Sequence, residues 1–197
     1  MKSIRMLLLL AMVMFTVSSA LAGDAVEIGS KAPPFSLKDV DGKEHSLAGF
    51  LENKLVAVMF IATQCPVSNA YNERMVELNK DYASRGVAFV GINSNKQEGV
   101  EEIKDHSASN GFKFAVLKDP GNVVADAFGA KVTPEVFVIS PDGTVRYHGR
   151  IDDSKDADDV TSQDLRAALD ALLTGKEPAS AATKAFGCTI KRVKKES

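Results

Sequence analysis

Two sulfur atoms are the most reactive groups this sequence offers. Its 197 residues contain two cysteines, Cys65 and Cys188. A cysteine reacts as the thiolate, and main-chain N–H groups at the start of a helix favour that anion. Cys65 is placed for this. Leu55 to Ile61 is an unbroken apolar run that reads as a strand buried on both faces. A short polar loop follows, then Cys65, then Pro66, whose fixed φ and missing N–H suit the first position of a helix. The plain alternative is an inert buried thiol, common in protein cores; the strand-end, helix-start location favours a reactive one. Two roles stay open for Cys188. It either reaches Cys65 and resolves a sulfenic acid or mixed disulfide there, or it forms a permanent clasp that pins the C-terminus.

Other candidate chemistry is weaker. His45, His106 and His148 are far apart and lack metal-ligand spacing, so they read as surface or hairpin residues. The acidic stretch Asp152, Asp153, Asp156, Asp158 and Asp159 lacks the glycine and closing glutamate of a calcium loop and reads as a solvated loop. No metal is expected. No glycine-rich nucleotide motif is evident, so no cofactor is expected and electrons must come from an external thiol reductant. A formal net charge of -2 gives no electrostatic argument for nucleic acid. Asn93 to Asn95 either border the Cys65 site or form a turn, and Arg74 either supports the thiolate or faces solvent.

The elements that must hold these residues follow from apolar spacing and turn residues. Phe35 to Leu37 and His45 to Leu47 flank Asp41-Gly42 as a small hairpin. Val67, Tyr71, Met75, Leu78 and Tyr82 recur at helical steps and predict one helix ending at Arg85-Gly86. Val87 to Ile92 is a second buried strand, which makes a βαβ unit with the first. A helix from Val100 and a short one over Val123 to Phe128 come next. Pro141-Asp142-Gly143 then turns one strand, Val136 to Ile139, back antiparallel into Thr144 to His148. Leu165, Ala168, Leu169 and Leu172 define a last helix, with Thr161 and Asp164 as its capping pair. This order predicts an α/β thioredoxin fold, a central mixed sheet flanked by helices in three layers, with an N-terminal β-hairpin extension and a C-terminal tail.

The ends read differently from the middle. Lys2 and Arg5 precede a charge-free run, Met6 to Val17, and Ala20-Leu21-Ala22 resembles a cleavage signal. Residues 1–22 are therefore expected to be a signal peptide, 23–175 the thioredoxin-fold domain and 176–197 a tail carrying the second cysteine. The apolar run is shorter than the about 20 residues a spanning helix needs. A periplasmic or secreted protein with no membrane span after cleavage is expected.

Ala62-Thr63-Gln64-Cys65-Pro66-Val67-Ser68 resembles the thioredoxin active-site segment, with Ser68 at the second cysteine of C-x-x-C. Val132-Thr133-Pro134 resembles the cis-proline loop that faces that cysteine. Pro34 to Leu37 with Asp41-Gly42 is similar to the start of the alkyl hydroperoxide reductase/thiol-specific antioxidant superfamily. Cys65-Pro66, Gly91 to Asn95, Gly149 to Asp153 and Gly187 to Lys191 resemble a peroxiredoxin-like subgroup of these redoxins. The resemblance implies an antioxidant or thiol-disulfide oxidoreductase acting on a protein thiol, a disulfide or a peroxide. It implies Cys65 as reactive thiolate, a cis Thr133–Pro134 bond, and Thr133, Pro134 and Thr63 as substrate contacts, with the resolving and clasp roles of Cys188 both still open. The departures are specific. Ala62 stands where peroxiredoxins have Thr or Ser, and no arginine lies in 110–140 to polarise a peroxide. Met59 and Ser68 replace the buried acid and second cysteine of thioredoxin. A non-catalytic binding module with a structural Cys65–Cys188 bridge is the second reading. A copper chaperone would want a thiol where Ser68 stands.

Overall fold

The computed structural model describes residues 25–194, so the expected signal segment, 1–22, lies outside the described residues. The chain opens with the hairpin β1 (Ser36–Lys38) and β2 (Glu44–Ser46), antiparallel as expected. The Ser46 side chain caps the short helix α1 (Leu47–Phe50) by accepting the Gly49 N–H at 3.2 Å. β3 (Leu55–Phe60) follows and is buried at every position.

Period-two alternation along β3 splits the core into two faces. Leu55, Ala57 and Met59 pack on one side with Met75, Leu78, Tyr82, Leu165 and Leu169. Val56, Val58 and Phe60 pack on the other with Phe128, Phe137, Ile139 and Ile190. The first face is covered by α2 (Pro66–Ala70) and α3 (Asn72–Tyr82). The predicted single helix is thus two, because Tyr71 has φ -98° and ψ -3° and breaks the run. Tyr71, Met75, Leu78 and Tyr82 still share the buried face.

After α3 come β4 (Val87–Asn93), α4 (Val100–Ser109), β5 (Ala115–Lys118) and α5 (Val123–Phe128). A two-residue strand, β6 (Val132–Thr133), precedes β7 (Glu135–Ile139) and β8 (Val145–Gly149). The main sheet has the order β5-β4-β3-β7-β8. β5, β4 and β3 are parallel, whereas β7 and β8 are antiparallel to their neighbours. This mixed sheet between helical layers is the α/β thioredoxin fold.

α6 (Asp164–Leu173) closes the first face, but the expected Thr161–Asp164 cap does not form. Asp153 takes the Thr161 hydroxyl and the Thr161 and Ser162 N–H groups instead, which leaves Gln163 at the cap without a side-chain bond. The chain after α6 is ordered against the body. His148 donates its N–H to Ala181, and Thr183 donates to His148. The chain then forms β9 (Cys188–Thr189), antiparallel to β6. Ile190, 3 % exposed, is a core residue of the second face. Among the described residues, no helix is long and apolar enough to cross a membrane.

Candidate active site at Cys65 and Cys188

The end of β3 delivers the chain to a loop in which the N–H groups of Ala62, Thr63 and Gln64 are all engaged. Ser68, fully buried where thioredoxin has its second cysteine, accepts the Ala62 N–H on its hydroxyl at 3.2 Å. Asn69 donates its side-chain amide to the Thr63 carbonyl at 2.9 Å. Cys65 is the N-cap of α2, and its Sγ accepts the Ser68 N–H at 3.2 Å. A main-chain donor aimed at sulfur stabilises negative charge there, the physical requirement for a leaving or attacking thiolate.

Cys65 is bonded to Cys188 in a disulfide with Cα atoms 5.8 Å apart. The sulfur of Cys65 also lies 3.3 Å from the Thr133 carbonyl oxygen. It carries no proton in the disulfide, so this is a contact that only the reduced thiol could turn into a hydrogen bond. The Thr133–Pro134 bond is cis. Thr133 pairs directly with Cys188 across β6 and β9. Gly187 makes this possible: a Cβ there would sit 2.0 Å from the Thr133 oxygen, so only a bare backbone can approach so closely.

One buried carboxylate organises both sulfurs. Glu98, 1 % exposed, accepts the N–H of Thr63 at 2.7 Å and that of Gln64 at 3.2 Å. It also accepts the side-chain amides of Asn93 and Asn95. Burial alone would raise its pKa; these donors outweigh that and hold it below the ordinary carboxylate value. Asn95 in turn accepts the Lys191 N–H at 2.7 Å, and the Lys96 N–H binds the Lys191 carbonyl at 2.9 Å. The loop that ends in Cys65 and the tail that carries Cys188 therefore hang on the same segment, Asn93 to Glu98. A second buried acid, Glu135, accepts the N–H groups of Lys131 and Val132 and bonds the His148 ring, which fixes the turn into β6.

Each residue singled out from the sequence now has a place. Cys65, Cys188, Thr133 and Pro134 come together. Thr63 is next to them but fully engaged, its hydroxyl donating to Glu102 at 2.6 Å and its N–H to Glu98. Asn93 to Asn95 border the site and are buried. Arg74 makes no bond to the sulfur and is only partly exposed: it binds both Asp152 oxygens and stacks 3.7 Å over the Tyr71 ring. Asp152 is accordingly buried, so the acidic stretch is solvated only in part. His45 and His148 are hairpin residues, in β2 and β8, with the His148 ring bonded to the buried Glu135, and His106 is half-buried on α4, bonded to Asn72. Glu98 escaped sequence reasoning, although Asn93 to Asn95 after a buried strand pointed at its surroundings. A cleft of about 330 Å³ lined by Arg74, Glu77, Asp152, Gln163 and Arg166 includes neither cysteine.

The AhpC/TSA family model matches residues 28–148. Thiol-disulfide oxidoreductase ResA of Geobacillus thermodenitrificans is 30% identical over 149 residues, covering 74% of this chain and 83% of ResA. The crystal structure of a hypothetical protein from Sinorhizobium meliloti 1021 superposes with a TM-score of 0.81 at 35% identity, covering 86% of this chain and 97% of that one. Peroxidoxin BcpB from Mycobacterium tuberculosis shares the fold at a TM-score of 0.55 and 23% identity, over 75% of this chain and 92% of its own. By the span of the matching family model, this chain belongs to the AhpC/TSA family.

Proposed function

We propose that this protein is an exported thiol-disulfide oxidoreductase whose working couple is Cys65 and Cys188. The observation that carries the reading is the Cys65–Cys188 disulfide placed at a helix start, with a main-chain N–H on the Cys65 sulfur and the cis-proline strand beside it. In the forward reaction the Cys65 thiolate attacks a disulfide, the partner leaves as a thiolate, and Cys188 resolves the mixed disulfide. A thiol reductant restores the couple. Thr133, Pro134 and Thr63 frame the reacting sulfur. The name of the ResA relative supports disulfide chemistry, and the basic start and charge-free run of residues 1–22 support export to the periplasm or outside the cell, with 23–175 as the redoxin domain and 176–197 as its tail.

Disulfide exchange fits better than peroxide reduction. A peroxidase needs donors that polarise the O–O bond. Ala62 offers no hydroxyl, its N–H is taken by Ser68, and Arg74 is committed to Asp152. The burial of Cys65, 2 % exposed, favours the second reading, a permanent bridge in a binding module. Catalysis separates them. The protein should accelerate the reduction of oxidised glutathione by dithiothreitol above the uncatalysed rate, and Cys65→Ser should abolish that acceleration; equal rates with the two proteins would refute the exchange reading.

A further inference from the structure

Charge is unevenly spread around the disulfide. The chain as a whole carries a formal net charge of -2. The segments beside Cys188 have the opposite sign, with Lys96, Lys131, Lys191 and Lys194 all exposed there. Backbone bonds fix their places. The Lys96 N–H donates to the Lys191 carbonyl at 2.9 Å, and the Ile190 N–H to the Lys131 carbonyl at 3.0 Å. The Val193 N–H donates to the Asn122 side chain at 2.7 Å, which ties the chain down just before Lys194. Lys131 and Ile190 continue the β6–β9 register in which Thr133 stands opposite Cys188.

Like charges gathered on neighbouring segments repel one another unless an acid lies among them. Among the described residues, none of these four ammonium groups has an acidic partner. The acids of the same region are committed elsewhere. Glu98 is buried and takes four donors, and Asp126 binds Arg192. Asp119 is buried under the Ser94 hydroxyl and the Val124 and Ala125 N–H groups. Beyond Cys65, α4 carries Glu101 and Glu102, and Glu102 accepts the Thr63 hydroxyl and the Gln64 amide. The couple therefore lies between a basic rim on the tail side and an acidic one on the α4 side.

We propose that Lys96, Lys131, Lys191 and Lys194 form a docking rim for a partner protein whose reacting cysteine is flanked by acidic residues. The proposal rests on the reading of Cys65 and Cys188 as an exchanging pair and names the class of partner that the pair serves. Acidic groups on the partner are attracted by all four lysines and relieve their mutual repulsion. An exchange partner must also leave after each turn, so the rim acts by raising the rate of encounter rather than by burying apolar area. Anionic lipid would also meet four lysines, but it brings no thiol to a rim that flanks a disulfide.

The test compares two synthetic peptides, one with a single cysteine flanked by glutamates and one with it flanked by lysines. Reduction of the oxidised full chain is followed by acid quench, alkylation and mass spectrometry. One peptide thiolate bonds a sulfur of the couple while the other sulfur leaves as thiolate. A second peptide thiolate then completes the reduction by releasing the peptide disulfide. Per thiolate and at low salt, the acidic peptide should react at least about tenfold faster, and high salt should shrink the difference. Lys96→Glu, Lys131→Glu and Lys191→Glu combined should reverse the preference. Lys54→Glu, Lys80→Glu and Lys176→Glu combined should keep it: the charge change is equal, but at exposed positions elsewhere, Lys54 and Lys176 lining a cleft where β3 starts. Equal rates for the two peptides, or the same loss of preference in both variants, would overturn the proposal. The acidic peptide with serine for cysteine should shift the Lys96, Lys131 and Lys191 amide signals in a magnetic resonance titration, and unmoved signals would overturn it too. If that peptide binds while neither cysteine peptide reduces the chain, the docking rim stands and the exchanging pair fails.

Discussion

Glu98 shows how much of the site rests on single side chains. Its two oxygens receive four donors from the Cys65 loop and the Asn93–Asn95 turn. Glu98→Gln offers one acceptor where there were two and turns an amide N–H₂ toward existing donors. The variant should lose about 1–3 kcal/mol of stability, the cost of a buried donor left unsatisfied, measured by urea unfolding; an unchanged midpoint would contradict this. Cys65 was legible from its strand-end position because the buried run before it and Pro66 after it leave little choice of geometry. Glu98 was not, because a glutamate in a polar stretch is ordinarily solvated. Its burial depends on Asn93 and Asn95 folding back, a tertiary event with no signature in spacing. Thr133 and Pro134 were legible only through the resemblance, since a cis bond leaves no trace in apolar periodicity.

At the scale of elements, the β6–β9 pair decides what the tail is. The notable residue is Ile190, whose burial in the second core face gives the tail its own hydrophobic anchor. Reduction should therefore free the sulfurs without releasing the strand. Hydrogen exchange should show the Ile190 and Lys191 amides, bonded to Lys131 and Asn95, still protected after reduction. Loss of protection across 186–193 would instead make the disulfide a clasp. Gly187→Ala tests the close approach to Thr133. Its methyl would meet backbone rather than a movable side chain, so β9 must shift, at a cost of about 1–3 kcal/mol, and the disulfide should re-form more slowly after reduction in a timed alkylation assay. The hairpin, the βαβ unit and the final antiparallel pair followed from alternation and turns. The break at Tyr71 did not, because Tyr71 keeps its place on the apolar stripe while its backbone leaves the helix. The core packing of the tail is silent in the sequence for a related reason: a lone buried Ile190 among lysines carries no periodic signal.

For the whole molecule, two buried carboxylates tie stability to pH. Glu98 and Glu135 are both held below their ordinary value of 4.5, since hydrogen bonds outweigh the burial that would raise them. A folded-state pKa below the unfolded one contributes stability that is full above the unfolded value and is lost as pH falls through the folded value. The melting temperature should therefore drop as pH is lowered below 4.5, and Glu98→Gln should show a smaller drop than the unaltered chain; parallel curves would contradict the assignment to Glu98. The disulfide adds a constraint on the unfolded chain. It joins residues 123 apart in sequence, and in the chain-entropy account such a loop contributes on the order of 4–5 kcal/mol. That stabilisation is compatible with either a clasp or a redox couple, so stability alone does not separate them. The separating quantity is the reduction potential of Cys65–Cys188, obtained by equilibrating the protein with dithiothreitol redox buffers and counting thiols by alkylation. An exchanging couple is expected above about -300 mV, whereas a value well below that marks a disulfide built to stay closed and would contradict the assignment of catalysis to this pair.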